Sequence, residues 1–377
     1  MSLNLGIKSK TLLPLLMILV IALSGLAIYN YFSQIALLNK EAEDLLISTL
    51  NSTQTMIEDR SKQYEQMSIM MAEMPLISDL FAKGDRDGLI MELQPGFENL
   101  KKNFQLNRLH FYRPAATSFL RLHDITHFGE DESAYRHAIV YVNEKKTAAR
   151  GVEIGARGLS LRGIQPVYNK GRHVGAVEFG GELSPSIDEA KNVFNVEGGI
   201  LLAKQSMLQV LPNWQQQDAT VVENYIFFYS TNPRLTQALI KPGIFKVKAG
   251  LGGIVTEQGS YAGRNYFIAM GPLMDFSGKS IGFLYIFKDQ TELLAKIHRV
   301  LIINMVVYFS ILLAISFAIN FSLKNTVIDP VLTLTNKADE ISMGKLTEKI
   351  EVNTNDEIAT LAKAIDRMRV SMKKLLE

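Results

Sequence analysis

Five of the six histidines fall between His110 and His173, and the same stretch carries Arg113, Arg121, Arg136, Arg157, Arg162 and Arg172. Aromatic residues are interleaved with them: Phe111, Tyr112, Phe119, Phe128, Tyr135 and Tyr168. A guanidinium presents a planar fork of donors that matches a carboxylate in bidentate fashion. Charged and aromatic groups concentrated in one stretch therefore predict a pocket that clamps a small anion, most simply a carboxylate. The side chains expected to touch it are Arg121, His123, Arg136 and Arg162, with Tyr112, Phe119 and Tyr168 as walls. Each has a plainer reading beside it. Arg121 and His123 alternate in a strand-like run and could both face solvent, and Arg136 could pair with Glu130, Asp131 or Glu132.

Other chemistries find less support. His123 and His127 have the spacing of two metal ligands on a helix, but no third ligand is near and Gly129 favours a loop, so no metal is expected. There is no nucleophile elbow, no Walker loop and no H-E-x-x-H run. Gly151, Gly155 and Gly158 lack the strand-to-helix setting and the glycine spacing of a dinucleotide site. No cofactor and no enzymatic activity are expected. The absence of cysteine excludes disulfides, thiolate metal sites and covalent haem attachment. A net charge of +2 gives no basic footprint, so no nucleic-acid partner is expected.

The elements that must position these residues begin with two uncharged apolar stretches, 11–32 and 300–323. Each reaches the roughly 20 residues that a membrane-spanning helix needs. Lys8 and Lys10 precede the first and Lys324 follows the second, which places both termini in the cytoplasm and residues 33–299 outside. Lys296 and Arg299 weaken that bias. The first stretch is longer than a signal-peptide core and lacks an A-x-A cleavage site, so it reads as an anchor.

From Tyr31 to about Ala82 the apolar spacing predicts one long stalk helix, ended by Gly84-Asp85. Beyond it the pattern shortens into strands: Leu109–Tyr112, Ile139–Val142, Gly163–Tyr168 and Val174–Phe179, the last two joined by an Asn169-Lys-Gly171 turn. This hairpin has an echo. Pro166, Gly171 and Gly175 align with Pro272, Gly278 and Gly282, each copy with an apolar strand after its last glycine. Gly199–Leu202, Tyr225–Tyr229 and Tyr266–Met270 supply further strands. A repeated strand-turn-strand marks a duplicated module. The two modules are expected at about 85–185 (distal) and 190–295 (proximal).

Two sheet modules on a long N-terminal helix, between two membrane spans, resemble the double Cache sensor domains of bacterial chemoreceptors, histidine kinases and cyclases. The runs 114–123, 128–136 and 151–163 are similar to one subfamily of these. The resemblance implies an α+β fold: a long stalk helix carrying two PAS-like antiparallel-sheet modules that bind a small extracytoplasmic molecule. In the tail, Val331, Leu334, Ala338 and Ile341 step by three and four, as do Ile358, Leu361, Ile365, Met368, Met372 and Leu375. Two short heptad helices cannot bury their seams alone and call for a parallel four-helix bundle with a second copy. With Pro330 early in the first helix, Gly344 in the connector and Asp356-Glu357 opening the second, residues 324–377 resemble a HAMP linker. Those four residues are the expected signal relay.

The expectation is a homodimeric two-pass receptor of the inner (plasma) membrane, serving chemotaxis or a two-component system. Residues 1–10 are then a cytoplasmic N-terminus. The seam is still in phase at Leu375, which implies either an output domain beyond Glu377 or a separate effector protein. The rival reading is a membrane-anchored adaptor whose sensor domain binds an exported protein.

Overall fold

A computed structural model describes residues 7–156, 158–211, 221–243, 253–351 and 355–376. Contacts divide the chain into two units, 38–293 and the combination of 1–37 with 294–377.

The first unit opens in α1 (Ile7–Ala72). The predicted stalk helix is interrupted ten residues early. Pro75 drives Met74 to an extended conformation (φ −73°, ψ 115°) and starts α2 (Pro75–Lys83). Gly84, at φ +75°, caps α2 where a side chain would be strained. The Asp85 carboxylate accepts from Gly88 N at 2.9 Å and opens α3 (Arg86–Phe104).

Strands β1 (Leu106–Arg113) and β2 (Thr117–Arg121) follow, then α4 (His137–Lys145), β3 (Ala149–Gly155), β4 (Gly158–Asn169) and β5 (Arg172–Gly181). The stretch Ile139–Val142 is therefore helical, not a strand. Its β-branched residues suggest a strand locally, but Ala138, Ile139, Val142 and Asn143 bury one helix face over the sheet, and packing overrides propensity. The sheet is antiparallel, in the order β2-β1-β5-β4-β3. The predicted hairpin is β4–β5, with Asn169 opposite Arg172 and positive φ at Lys170 and Gly171.

After α5 (Ser184–Phe194) the pattern repeats: β6 (Glu197–Ala203), α6 (Lys204–Val210), β7 (Val221–Val222), β8 (Tyr225–Ser230), α7 (Pro233–Leu239), β9 (Val255–Tyr261), β10 (Arg264–Met274) and β11 (Ser280–Asp289). The second sheet runs β7-β8-β6-β11-β10-β9, the first order with one short strand added. Gly199–Leu202, Tyr225–Tyr229 and Tyr266–Met270 all lie in strands, and the echo hairpin is β10–β11.

One face of each sheet joins a common apolar core with α1, through Leu46, Leu50, Ile57 and Tyr64. The approach is close at Gly163, where a Cβ would stand 2.0 Å from Glu65 N. There Ser68 Oγ donates to the Gly163 carbonyl at 2.7 Å. The helix therefore lies directly on the sheet whose opposite face carries the polar residues.

In the other unit, the N-terminal part of α1 and α8 (Thr291–Leu323) are long and apolar enough to cross a membrane. Asn30 Nδ2 donates to the Tyr308 hydroxyl between them at 2.8 Å. A π-helical turn (Lys324–Ile328) leads into α9 (Asp329–Ser342), which has Pro330 in its first turn. Gly344, at φ +90°, begins the connector, and Asp356 accepts from Ile358 N and Ala359 N at the head of α10 (Glu357–Leu376). Leu334, Ile341, Leu346, Ile350 and Ala362 form a small core there with Ile358 and Ile365. Met368 and Leu375 stay exposed in the single chain.

Candidate functional site

Strand alternation gives the first sheet two unlike faces. Leu109, Phe111, Leu161, Val177 and Phe179 turn to the apolar core. Arg108, His110 and Tyr112 of β1, Arg162 of β4 and Glu178 of β5 turn the other way and line a cavity of about 300 Å³. Arg121, at the end of β2, and the 122–136 segment leading to α4 complete its wall with His123, Asp124, His127, Glu130, Glu132, Tyr135 and Arg136. Glycine-sized contacts preserve the space: a Cβ on Gly155 would stand 2.7 Å from Arg162 Nη2.

The charges at the floor are paired. Arg136 Nε donates to Glu153 Oε2 at 2.9 Å, and its two Nη atoms reach the Tyr112 hydroxyl and Glu178. Arg162 donates to the other Glu178 oxygen; its Nε lies 3.2 Å from Glu153 Oε2, close enough for charge attraction but off line for a hydrogen bond. At the rim, Arg121 donates to Glu132 (2.6 Å), Glu130 (3.0 Å) and the His127 carbonyl (2.7 Å). Glu132 also accepts from the Tyr112 hydroxyl at 3.0 Å.

Such pairing sets the protonation states. Burial alone would raise the Glu178 carboxyl, but Arg136 and Arg162 outweigh it and hold it at about 2. Arg136, although fully desolvated, is held charged by Glu178, Glu153 and Glu132. His110 is kept neutral by burial and then by the Arg136 and Arg121 charges; its Nε2 shares a 2.9 Å hydrogen bond with Ser118 Oγ. Burial, with Glu132 beside it, pushes the Tyr135 phenol up to about 12.

Arg108 differs from the other three arginines. Its guanidinium has no ion pair and no side-chain hydrogen bond among the described residues. Burial, with Arg162 next, lowers its pKa to about 10, so it stays charged at neutral pH. It is the one described arginine of the wall that offers an uncommitted fork to an incoming anion.

Of the predicted contacts, Arg121, His123, Arg136, Arg162 and Tyr112 converge on this cavity. The other two predicted walls do not. The β1–β2 register shift leaves Phe119 as the extra residue of a bulge, and its ring turns to Phe81, 5.1 Å away, on the apolar side. Tyr168 lies by a second register shift at the far end of the β4–β5 hairpin, 42% exposed and edge-on to His173. Arg136 does pair with Glu132, one of the plainer possibilities, while Arg121 takes both Glu130 and Glu132. His127 bonds Asp124 at 2.9 Å in a loop. Arg157 lies outside the described residues. Arg108 is missing from the predicted set, although the alternation Arg108, His110, Tyr112 carries its signal once β1 is started at Leu106. Glu178 was likewise legible as a charge inside an otherwise apolar strand.

Residues 39–294 match a family model described as the double sensory domain of two-component sensor kinases. Residues 323–374 match the HAMP domain. Both are sensory or relay families rather than catalytic ones. No curated protein matches the sequence. Among solved structures, the chain is similar to the ligand-binding domain of the Campylobacter jejuni chemoreceptor Tlp3 in complex with L-valine. That match has 12% identity over 68% of this chain and 96% of that one, with a TM-score of 0.42. It is also similar to the sensor domain of the V. cholerae histidine kinase DctB, at 12% identity over 68% and 98%, with a TM-score of 0.41.

Proposed function

Because the chain belongs to the double sensory domain family of two-component sensor kinases, we propose that it is a two-pass receptor of the inner membrane whose first module binds a small carboxylate-bearing molecule. In this reading residues 38–293 face outward and the HAMP segment relays the signal, as a homodimer, to a cytoplasmic output domain or a separate effector. The observation that carries the ligand assignment is Arg108, a mostly buried, charged guanidinium on a 300 Å³ cavity that makes no direct ion pair among the described residues and feels the Glu178 charge only from a distance. A buried cation is costly unless it is paired, so a carboxylate in the cavity relieves what Glu178 at a distance compensates only in part.

Arg136 and Arg162 play a different part from the one their residue type suggests. Already held by glutamates at the floor, they frame the cavity and fix its field. Ligand binding biases a two-state equilibrium, and a swing from 1:99 to 99:1 requires about 5.5 kcal/mol of differential affinity. Two or three charge-assisted hydrogen bonds at roughly 1.5–3 kcal/mol each supply that.

The test is calorimetric titration of the full chain in lipid nanodiscs with mono- and dicarboxylates, amino acids and, as controls, amines lacking a carboxylate. Binding restricted to carboxylates is expected. Arg108→Met should weaken it by about 10- to 100-fold, the worth of one charged hydrogen-bonding pair. Binding of amines alone, or full affinity in Arg108→Met, overturns the assignment.

A further inference from the structure

Glu132 differs from the other carboxylates around the cavity in what carries it. Glu153 and Glu178 project from β3 and β5, so they cannot move without disturbing the sheet. Glu132 sits on the segment between β2 and α4. That segment is fastened to the edge of β2 by backbone bonds from Ser118 N to Glu130 O, Gly129 N to Ser118 O and Glu132 N to Ala116 O. Two side chains fasten it as well: Arg121 donates to His127 O, Glu130 and Glu132, and Arg86 of α3 donates to Ile125 O at 3.0 Å and lies over the Phe128 ring.

The Glu132 carboxylate also has the surroundings of a bound ligand. One oxygen lies 2.6 Å from Arg121 Nη2; the other lies 3.0 Å from the Tyr112 hydroxyl and 3.5 Å from Arg136 Nη1. It is 7% exposed and part of the cavity wall.

We infer that Glu132 is a resident anion of this site, an internal carboxylate with which the ligand competes, so that it sets both affinity and the release of the 122–136 segment. The inference rests on the carboxylate reading above. A carboxylate placed on Arg108 adds a further anion to a small cavity already lined by Glu130, Glu132 and Glu178, and like charges so close together repel. Arg121 is the long side chain at the rim, with its head within reach of both partners. As it turns from Glu132 to the ligand, the segment loses its three Arg121 bonds at once. Recognition and the first movement are then one exchange of partners. Glu132 also acts as a selectivity filter, since a weak anion cannot displace it.

The experiment uses the full chain in nanodiscs, with propionate and succinate as probes, read by calorimetry and by amide hydrogen exchange. Glu132→Gln keeps the shape and removes the competing charge; it should bind the better probe at least 10-fold more tightly. In the wild type, saturating probe should speed exchange across residues 122–136. Glu130→Gln, at an exposed position, weakens the same fastening without a buried change and should bind about 3-fold more tightly. It decides the matter if Glu132→Gln does not fold. Binding in the wild type with no gain in the variants that fold, or slower exchange across 122–136, overturns the inference and leaves the carboxylate reading standing. Binding by Glu132→Gln alone supports it. Failure of every protein to bind either probe overturns both.

Discussion

The two sheet modules are built on one hairpin and filled in opposite ways. When Pro166 and Gly175 of the first are laid on Pro272 and Gly282 of the second, Arg162 falls on Ile268 and Glu178 on Tyr285. The pairing is kept as well: Ile164 faces Glu178 across β4–β5, and Met270 faces Tyr285 across β10–β11. In the second module this face closes into an apolar core of Ile268, Met270, Tyr285 and Phe287 with Leu235 and Leu239 of α7. In the first it holds the Arg136, Arg162, Glu153 and Glu178 network and the cavity above it. An apolar face can be sealed by any helix of suitable volume. A charged face can be covered only where each charge finds a partner, and where Arg108 makes no direct ion pair among the described residues a space for something else remains.

The largest effect that can break this contrast is expected at Glu178. Glu178→Ala leaves Arg136 and Arg162 facing each other in a dry site and should cost about 3–5 kcal/mol in equilibrium unfolding of the first module. Removing both signs together, as Arg162→Met with Glu178→Leu, should cost much less, because Arg136 keeps Glu153 and Glu132. A double variant no more stable than Glu178→Ala would mean that the charges hold the fold by something other than mutual compensation.

What could be read in the sequence follows the range of the interactions. The β4–β5 turn and its echo were legible because Asn169-Lys-Gly171 and the Gly278 turn are local chemistry. The membrane helices and the heptad pair were legible for the same reason, as was the clustering of the arginines. Their pairing was not. Arg136 finds Glu153 and Glu178 by strand register, at separations of 17 and 42 residues that no local pattern encodes. Phe119 failed as a pocket wall because a register shift made it the extra residue of a bulge, and Tyr168 because it lies six residues along β4 from Arg162, at the turn end of the hairpin. Ile139–Val142 failed as a strand because sheet burial, not propensity, selected the helix. Pro75 was a visible helix breaker that the longer apolar periodicity masked.

Acid should separate the modules next. His110 is stacked on Tyr112 with a centroid distance of 3.7 Å and faces Arg136, Arg121, His123 and Arg162. Burial first, and those charges second, place its folded pKa below the ordinary value of about 6.5. The unfolded chain therefore takes up the proton first, so stability is fully present above about pH 6.5. It falls by about 1.4 kcal/mol per pH unit below that, until the folded pKa is reached. Melting of the wild type between pH 7.5 and 5 should show this slope, and His110→Gln should reduce it, leaving the smaller share of His173, whose pKa burial and then Lys146 also lower. Glu178 does not contribute in that window: held at about 2, it loses its stabilisation only as pH falls from about 4.5 towards 2.

The smallest effect is expected where Tyr285 replaces Glu178. Its hydroxyl lies 3.0 Å from Thr236 Oγ1 and 3.4 Å from the Tyr229 carbonyl, and burial raises its pKa to about 12, so it is neutral throughout the working range. Tyr285→Phe removes these neutral bonds and should cost about 1 kcal/mol. It should leave carboxylate binding and the exchange of 122–136 unchanged, because the described residues that close this face of the second module are apolar or neutral. A Tyr285→Phe variant that melts normally but loses its ligand response would end the division of labour. The hydroxyl would then belong to the path of the signal, and the apolar face would be a moving part rather than a sealed support.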